Sequence, residues 1–121
     1  MKSYIVFSHK NRNKLFNAIN LSGRMMEAVS SEVKIKNTLG LHARPSAIFV
    51  QTASMFESEI TIQNSSNELV NGKSILGLLM LAAGHGSTLK ISAIGPDASK
   101  AVNSLVTLVE SDLEFNEVDR D

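Results

Sequence analysis

From residue 31 onward, short runs of alternating apolar and polar residues take turns with longer runs of helical spacing, and Gly, Pro or Asn stands at each junction. Val33 and Ile35 alternate with Lys34 and Lys36, which predicts a half-buried strand ending near Asn37. Gly40 permits a sharp turn. Residues 43–56 lack glycine and carry Ala47, Ile48, Val50 and Phe56 roughly on one helical face, with Pro45 in the first turn, where proline is tolerated. Residues 59–63 (EITIQ) alternate as a strand, residues 64–67 (NSSN) form a turn, and residues 68–71 return as its hairpin partner. Ser74 suits a helix N-cap before residues 75–83. Residues 88–94 (TLKISAI) alternate again. Gly95-Pro96-Asp97 then turns into a last helix over residues 98–113, with Ala101, Val102, Leu105, Leu108 and Val109 as its apolar stripe.

The order strand, helix, strand, strand, helix, strand, helix predicts an α+β fold. Its architecture is a two-layer open-faced sandwich, with a four-stranded antiparallel sheet and three helices on one face. Lys34, Lys36, Thr61 and Lys90 then mark the solvated face of the sheet. With 121 residues, 43% apolar and 20% charged, the chain can bury a single aliphatic core. The absence of cysteine excludes a disulfide framework and thiolate chemistry.

Charge divides the chain. The first 26 residues carry Lys2, Lys10, Arg12, Lys14 and Arg24 without an acid, so the remaining 95 hold 7 bases against 12 acids. The acidic C-terminal tail ends in Glu114, Glu117, Asp119 and Asp121. Such a body argues against broad nucleic-acid binding. No run approaches the roughly 20 apolar residues of a membrane helix, and residues 4–7 are too short for a signal peptide. The expectation is a cytoplasmic protein that contacts neither nucleic acid nor membrane. His9, His42 and His85 are far apart in sequence, which does not suggest a metal site. No G-x-S-x-G elbow supports a serine hydrolase.

The chemistry concentrates at Gly40-Leu41-His42-Ala43-Arg44-Pro45-Ser46-Ala47. The first amides of a helix lack internal partners and attract anions, helped by the helix dipole. A cationic imidazole is poorly placed there, whereas an imidazole carrying phosphate is well placed. Arg44 offers a guanidinium fork for phosphate oxygens, and a neutral ring nitrogen is nucleophilic near pH 7. By itself, His-x-Arg-Pro is also compatible with a solvated histidine at a helix cap.

Residues 39–47 (LGLHARPSA) closely resemble the active-site segment of the HPr family, the phosphocarriers of the bacterial phosphoenolpyruvate-dependent phosphotransferase system. The resemblance continues through residues 50–54 (VQTAS), 72–86 (GKSILGLLMLAAGHG) and 91–96 (ISAIGP), and spans about residues 31–113. It implies that His42 is phosphorylated on Nδ1, that Arg44 assists, and that the amides of Ala43 and Arg44 receive the phosphate. Enzyme I is the implied donor and an enzyme IIA-type domain the implied acceptor, with no cofactor and no metal. Such a protein is a phosphoryl-transfer intermediate, not a free-standing enzyme. Ser74 matches the regulatory site that many relatives present to HPr kinase/phosphorylase, through which the family also reaches transcription regulators. Ala47, Leu76 and Leu79 match docking positions, with Leu78 and Leu81 facing inward. A monomer is expected. Two further branches stay open: a nitrogen-related or regulatory carrier without sugar transport, and a binding module governed by Ser74.

Four features depart from the family pattern. Leu39 stands where some relatives have a small polar residue near the histidine, the turn at residues 64–67 is about one residue longer, and His85 stands where Lys is frequent. The largest departure is the leader. A typical relative would begin near Met25 or Met26, so residues 27–121 are expected to form the HPr-like domain. Residues 1–26 are expected to be a start assigned too far upstream, a flexible extension or a partner-binding segment. Within them, residues 4–7 read as a short strand and Leu15, Phe16 and Ile19 as a weak helical face.

Overall fold

The structure, a computed structural model, describes residues 4–8, 15–20, 25–35, 43–81 and 86–111. The elements run β1 (Tyr4–Ser8), β2 (Leu15–Asn20), β3 (Met25–Lys34), α1 (Ala43–Ala53), β4 (Glu59–Gln63), β5 (Leu69–Asn71), α2 (Ile75–Leu81), β6 (Thr88–Gly95) and α3 (Ala98–Glu110). The expected four-stranded antiparallel sheet is present as β3-β6-β4-β5, with three helices. Two further strands continue it, so the sheet has six strands in the order β1-β2-β3-β6-β4-β5.

The leader corrects the sequence-based expectation. Residues 15–20 form a strand, not a helical face, with Leu15 opposite Val29 and Ile19 opposite Met25. Leu15, Phe16 and Ile19 fit a helical stripe as well as a short strand, and in so short a run periodicity cannot decide. Pairing with the edge of β3 decides it. The sheet also runs through the boundary expected at residue 26, since β3 starts at Met25.

The long central ladder joins β3 to β6, from Glu27 opposite Gly95 to Lys34 opposite Thr88. Alternation then assigns the faces. Val29, Val33 and Ile35 together with Leu89, Ile91 and Ala93 are buried, as are Ile60 and Ile62 of β4. On the other face Lys34 is exposed and Thr61 and Lys90 are half-buried, as expected, while Lys36 lies outside the described residues. The α3 stripe of Ala101, Val102, Leu105 and Val109 is buried, with Leu108 partly so. This helix packs on β3 and β6, and α1 touches both α2 and α3.

In α1 the buried side is centred differently from the expectation. Pro45, Ser46, Phe49 and Ala53 are buried, whereas Ala47, Ile48 and Val50 are half-buried. The i, i+3, i+7 set at Ser46, Phe49 and Ala53 faces the core, and a small polar Ser46 hid it in the sequence. The helix ends at Ala53, and Phe56 packs against the core from the following turn.

Two contacts fix how β4 and α3 enter the fold. Asp97 accepts hydrogen bonds from the Glu57 amide (2.9 Å) and the Ser58 amide (3.0 Å), and the Ser58 hydroxyl donates to the same carboxylate. Asp97 therefore does not cap its own helix with its side chain. Glu27 of β3 does that work, its carboxylate accepting from the Ser99 amide at 2.9 Å. Gly95 makes the Ser58 approach possible, because a Cβ there would stand 2.6 Å from the Ser58 Cα.

Candidate functional site

Helix α1 begins at Ala43, directly after His42. In its first turn the donors without an intrahelical acceptor are the amides of Ala43 and Arg44, since Pro45 has no N–H. No acidic side chain occupies that turn to compete for them. The buried Phe49 and Ala53 hold the helix against the core, which fixes where its N-terminus points. His42 lies outside the described residues, as do Leu39, His9 and His85, and so does the side chain of Arg44. One feature that the sequence reading missed is Ser46. It is fully buried, and its hydroxyl has no hydrogen-bond partner among the described residues. Its only signal in the sequence is a polar residue three positions before Phe49.

Helix α2 lies against α1 and β5. Ser74 precedes it and acts as the expected cap, its Oγ accepting from the Gly77 amide at 3.0 Å. Its carbonyl accepts from the Leu78 amide at 3.1 Å. Ser74→Ala should therefore lower stability by about 1 kcal/mol, measurable as a shift in the urea midpoint. Beside the cap, the Lys73 ammonium donates to the Phe56 carbonyl at 2.7 Å and so ties this turn to the end of the α1 loop.

Leu78 and Leu81 face the core, as expected. Ile75, Leu76, Leu79 and Met80 are exposed, at 42%, 68%, 38% and 71%. Four large apolar side chains on a seven-residue helix form a patch of the kind that marks a protein interface. Leu76 and Leu79 are thus exposed, and Ala47 is half-buried on α1.

One open cleft lies against the β4–β5 hairpin and another at the end of β3, β4 and β6. Neither is lined by a residue of α1 or α2. Among the described residues no three His, Asp or Glu side chains are grouped to hold a metal ion. No helix there is long and apolar enough to cross a membrane.

The family model described as the PTS HPr component phosphorylation site matches residues 29–111. The HPr-like protein Crh of Halalkalibacterium halodurans is 43% identical over 84 residues, which are 69% of this chain and 99% of that protein. Phosphocarrier protein HPr of Neisseria meningitidis is 43% identical over 81 residues, 67% of this chain and 90% of the relative. The crystal structure of HPr-C-His from Thermoanaerobacter tengcongensis aligns with a TM-score of 0.67 at 46% identity, covering 70% of this chain and 94% of that one. The match begins at residue 29, so β1, β2 and the start of β3 lie outside it. With this match, and with the four-strand, three-helix body it covers, the chain belongs to the HPr family of phosphocarrier proteins of the phosphotransferase system.

Proposed function

We propose that the chain carries a phosphoryl group on His42, accepting it from an enzyme I charged by phosphoenolpyruvate and passing it to an enzyme IIA-type domain. The observation that carries this reading is the start of α1 at Ala43, which makes the residue after the histidine the first of a helix whose leading amides have no intrahelical acceptor. The neutral Nδ1 attacks phosphorus. As the N–P bond forms, the bond from phosphorus to the donor breaks and the donor keeps its electron pair. In the second step the acceptor's nucleophile attacks and His42 leaves with the electron pair of the N–P bond. The Ala43 and Arg44 amides and the Arg44 guanidinium stabilise charge on the phosphoryl oxygens in both steps. Transfer between two proteins needs an open surface, not an enclosed pocket. The exposed Leu76 and Leu79 supply the apolar part of such a surface. This reading carries a cytoplasmic location with it.

Ser74 has a regulatory role in the same reading. A phosphoryl group on its Oγ would stay at the start of α2 and add nearly two negative charges beside the apolar patch. It would thereby weaken docking without unfolding the helix. Similarity to an HPr-like protein Crh favours a second reading, in which regulation through Ser74 is the main task. The presence of both His42 and Arg44 favours the carrier. Parallel labelling separates the two. Phosphoenolpyruvate with enzyme I should give acid-labile phosphate in both wild type and Ser74→Ala. ATP with an HPr kinase should give acid-stable phosphate that Ser74→Ala lacks. Labelling by ATP alone would overturn the carrier reading in favour of the regulatory one.

A further inference from the structure

Among the described residues the buried polar side chains are Ser46 and Ser58. The Ser58 hydroxyl is answered by the Asp97 carboxylate. The Ser46 hydroxyl is fully buried and meets no hydrogen-bond partner among the described residues. A buried hydroxyl without a partner costs folding free energy. Alanine would fill nearly the same space with a better helix propensity. Packing therefore accounts for a small residue at this position, but not for its oxygen.

The place of Ser46 in α1 does account for it. This residue closes the first turn of the eleven-residue helix and follows His42 by four residues, about one turn or 6 Å along the axis. Helical Cα–Cβ bonds lean toward the N-terminus, so the Ser46 side chain lies back over the turn that leads to His42. The same face continues in Phe49 and Ala53, which are apolar and buried. In such surroundings a charge at the helix start is weakly screened from the hydroxyl. No acidic side chain in the first turn competes for it. A hydroxyl committed to an acceptor is fixed, as at Ser58, whereas one without an acceptor keeps its O–H dipole free to reorient in the local field.

We infer that Ser46 is a built-in dipole that favours the phosphorylated state of the carrier, its free hydroxyl turning its proton toward the negative charge that arrives at the start of α1. The inference rests on the carrier reading and adds a residue to it. Ser46 is not a catalytic residue. Its side chain lies on the buried face of α1, away from the surface at which two proteins exchange a phosphoryl group. In the unphosphorylated chain the hydroxyl is idle and lowers stability. Phosphorylation gives its dipole a charge to face, and the relief of that penalty moves phosphoryl exchange toward the carrier.

The two effects have opposite signs in one variant, which separates this role from packing. Ser46→Ala should raise the urea midpoint of the unphosphorylated chain. With enzyme I and a fixed ratio of phosphoenolpyruvate to pyruvate, it should also lower the equilibrium ratio of phosphorylated to unphosphorylated chain. Phosphorus NMR should show that ratio falling by at least about threefold. Ser46→Cys nearly keeps the size with a weaker donor, in a chain that otherwise has no cysteine, and its ratio should fall between the two. A ratio that Ser46→Ala leaves unchanged, beside a labelled wild type, would overturn the inference and leave the carrier reading standing. So would a Ser46→Ala variant that unfolds at lower urea than wild type, since the hydroxyl would then have a partner before phosphate arrives. A wild type that takes no label beside an enzyme I that charges another HPr would overturn both.

Discussion

Asp97→Ala is expected to cost about 2–4 kcal/mol of folding stability, because one carboxylate answers three donors. These donors are the amides of Glu57 and Ser58 and the Ser58 hydroxyl. Ser58 is buried, so its hydroxyl is the donor most exposed to the loss of this acceptor. The bonds close the entrance of β4 onto the start of α3 across 39 residues of sequence, so their loss should loosen both elements. The effect depends on pH. Burial pushes the Asp97 carboxyl up, but the Ser58 hydroxyl, the Glu57 and Ser58 amides and its own amide together outweigh that. They hold it below the ordinary 3.8. A carboxyl depressed by folding contributes stability that is complete above its unfolded value and fades as pH falls through the folded one. The difference between wild type and Asp97→Ala should therefore be constant near neutrality and shrink as pH drops below 3.8. Urea unfolding at neutral and strongly acidic pH checks both the size and the sign.

Phe49→Ala should be the most damaging single truncation in α1, at about 3–5 kcal/mol. The ring is fully buried among the residues that bring α1, α2 and the sheet together. Its removal leaves a cavity that the flanking Ser46 and Ala53 are too small to fill. Against a total of about 5–15 kcal/mol for a domain, such a loss brings the protein close to unfolding at ordinary temperature. Leu76→Ala removes a side chain of similar hydrophobicity from a position that is 68% exposed. Its cost should stay within about 0.5 kcal/mol. Urea midpoints for the two variants, with slopes compared to exclude a change in the unfolding transition, test whether α1 is anchored as described.

These two residues also show where the sequence is readable. Strands β3 and β6 announce themselves by strict alternation, because a half-buried sheet imposes period two on Val33-Lys34-Ile35 and on residues 88–94. Helix α3 does so through the spacing of Ala101, Val102, Leu105 and Val109. The Ser74 cap is legible because its partner, the Gly77 amide, is three residues away. Asp97 is not, since its partners are 39 and 40 residues distant and nothing local marks them. The buried stripe of α1 is hidden in the sequence because Ser46 is polar yet buried, which masks the set that includes Phe49. Strand β2 is ambiguous in the sequence because six residues fit either period and only the edge of β3 selects between them. The role proposed for His42 is legible for a different reason: it depends on one residue type before a helix start, and the segment at residues 39–47 carries both.

The most direct test of the account is phosphate incorporation from phosphoenolpyruvate in the presence of an enzyme I, comparing wild type with His42→Ala. The wild type should acquire acid-labile phosphate and the variant none, with both proteins equally folded. Equal labelling of the variant, or an unlabelled wild type beside an enzyme I that charges another HPr, would contradict it.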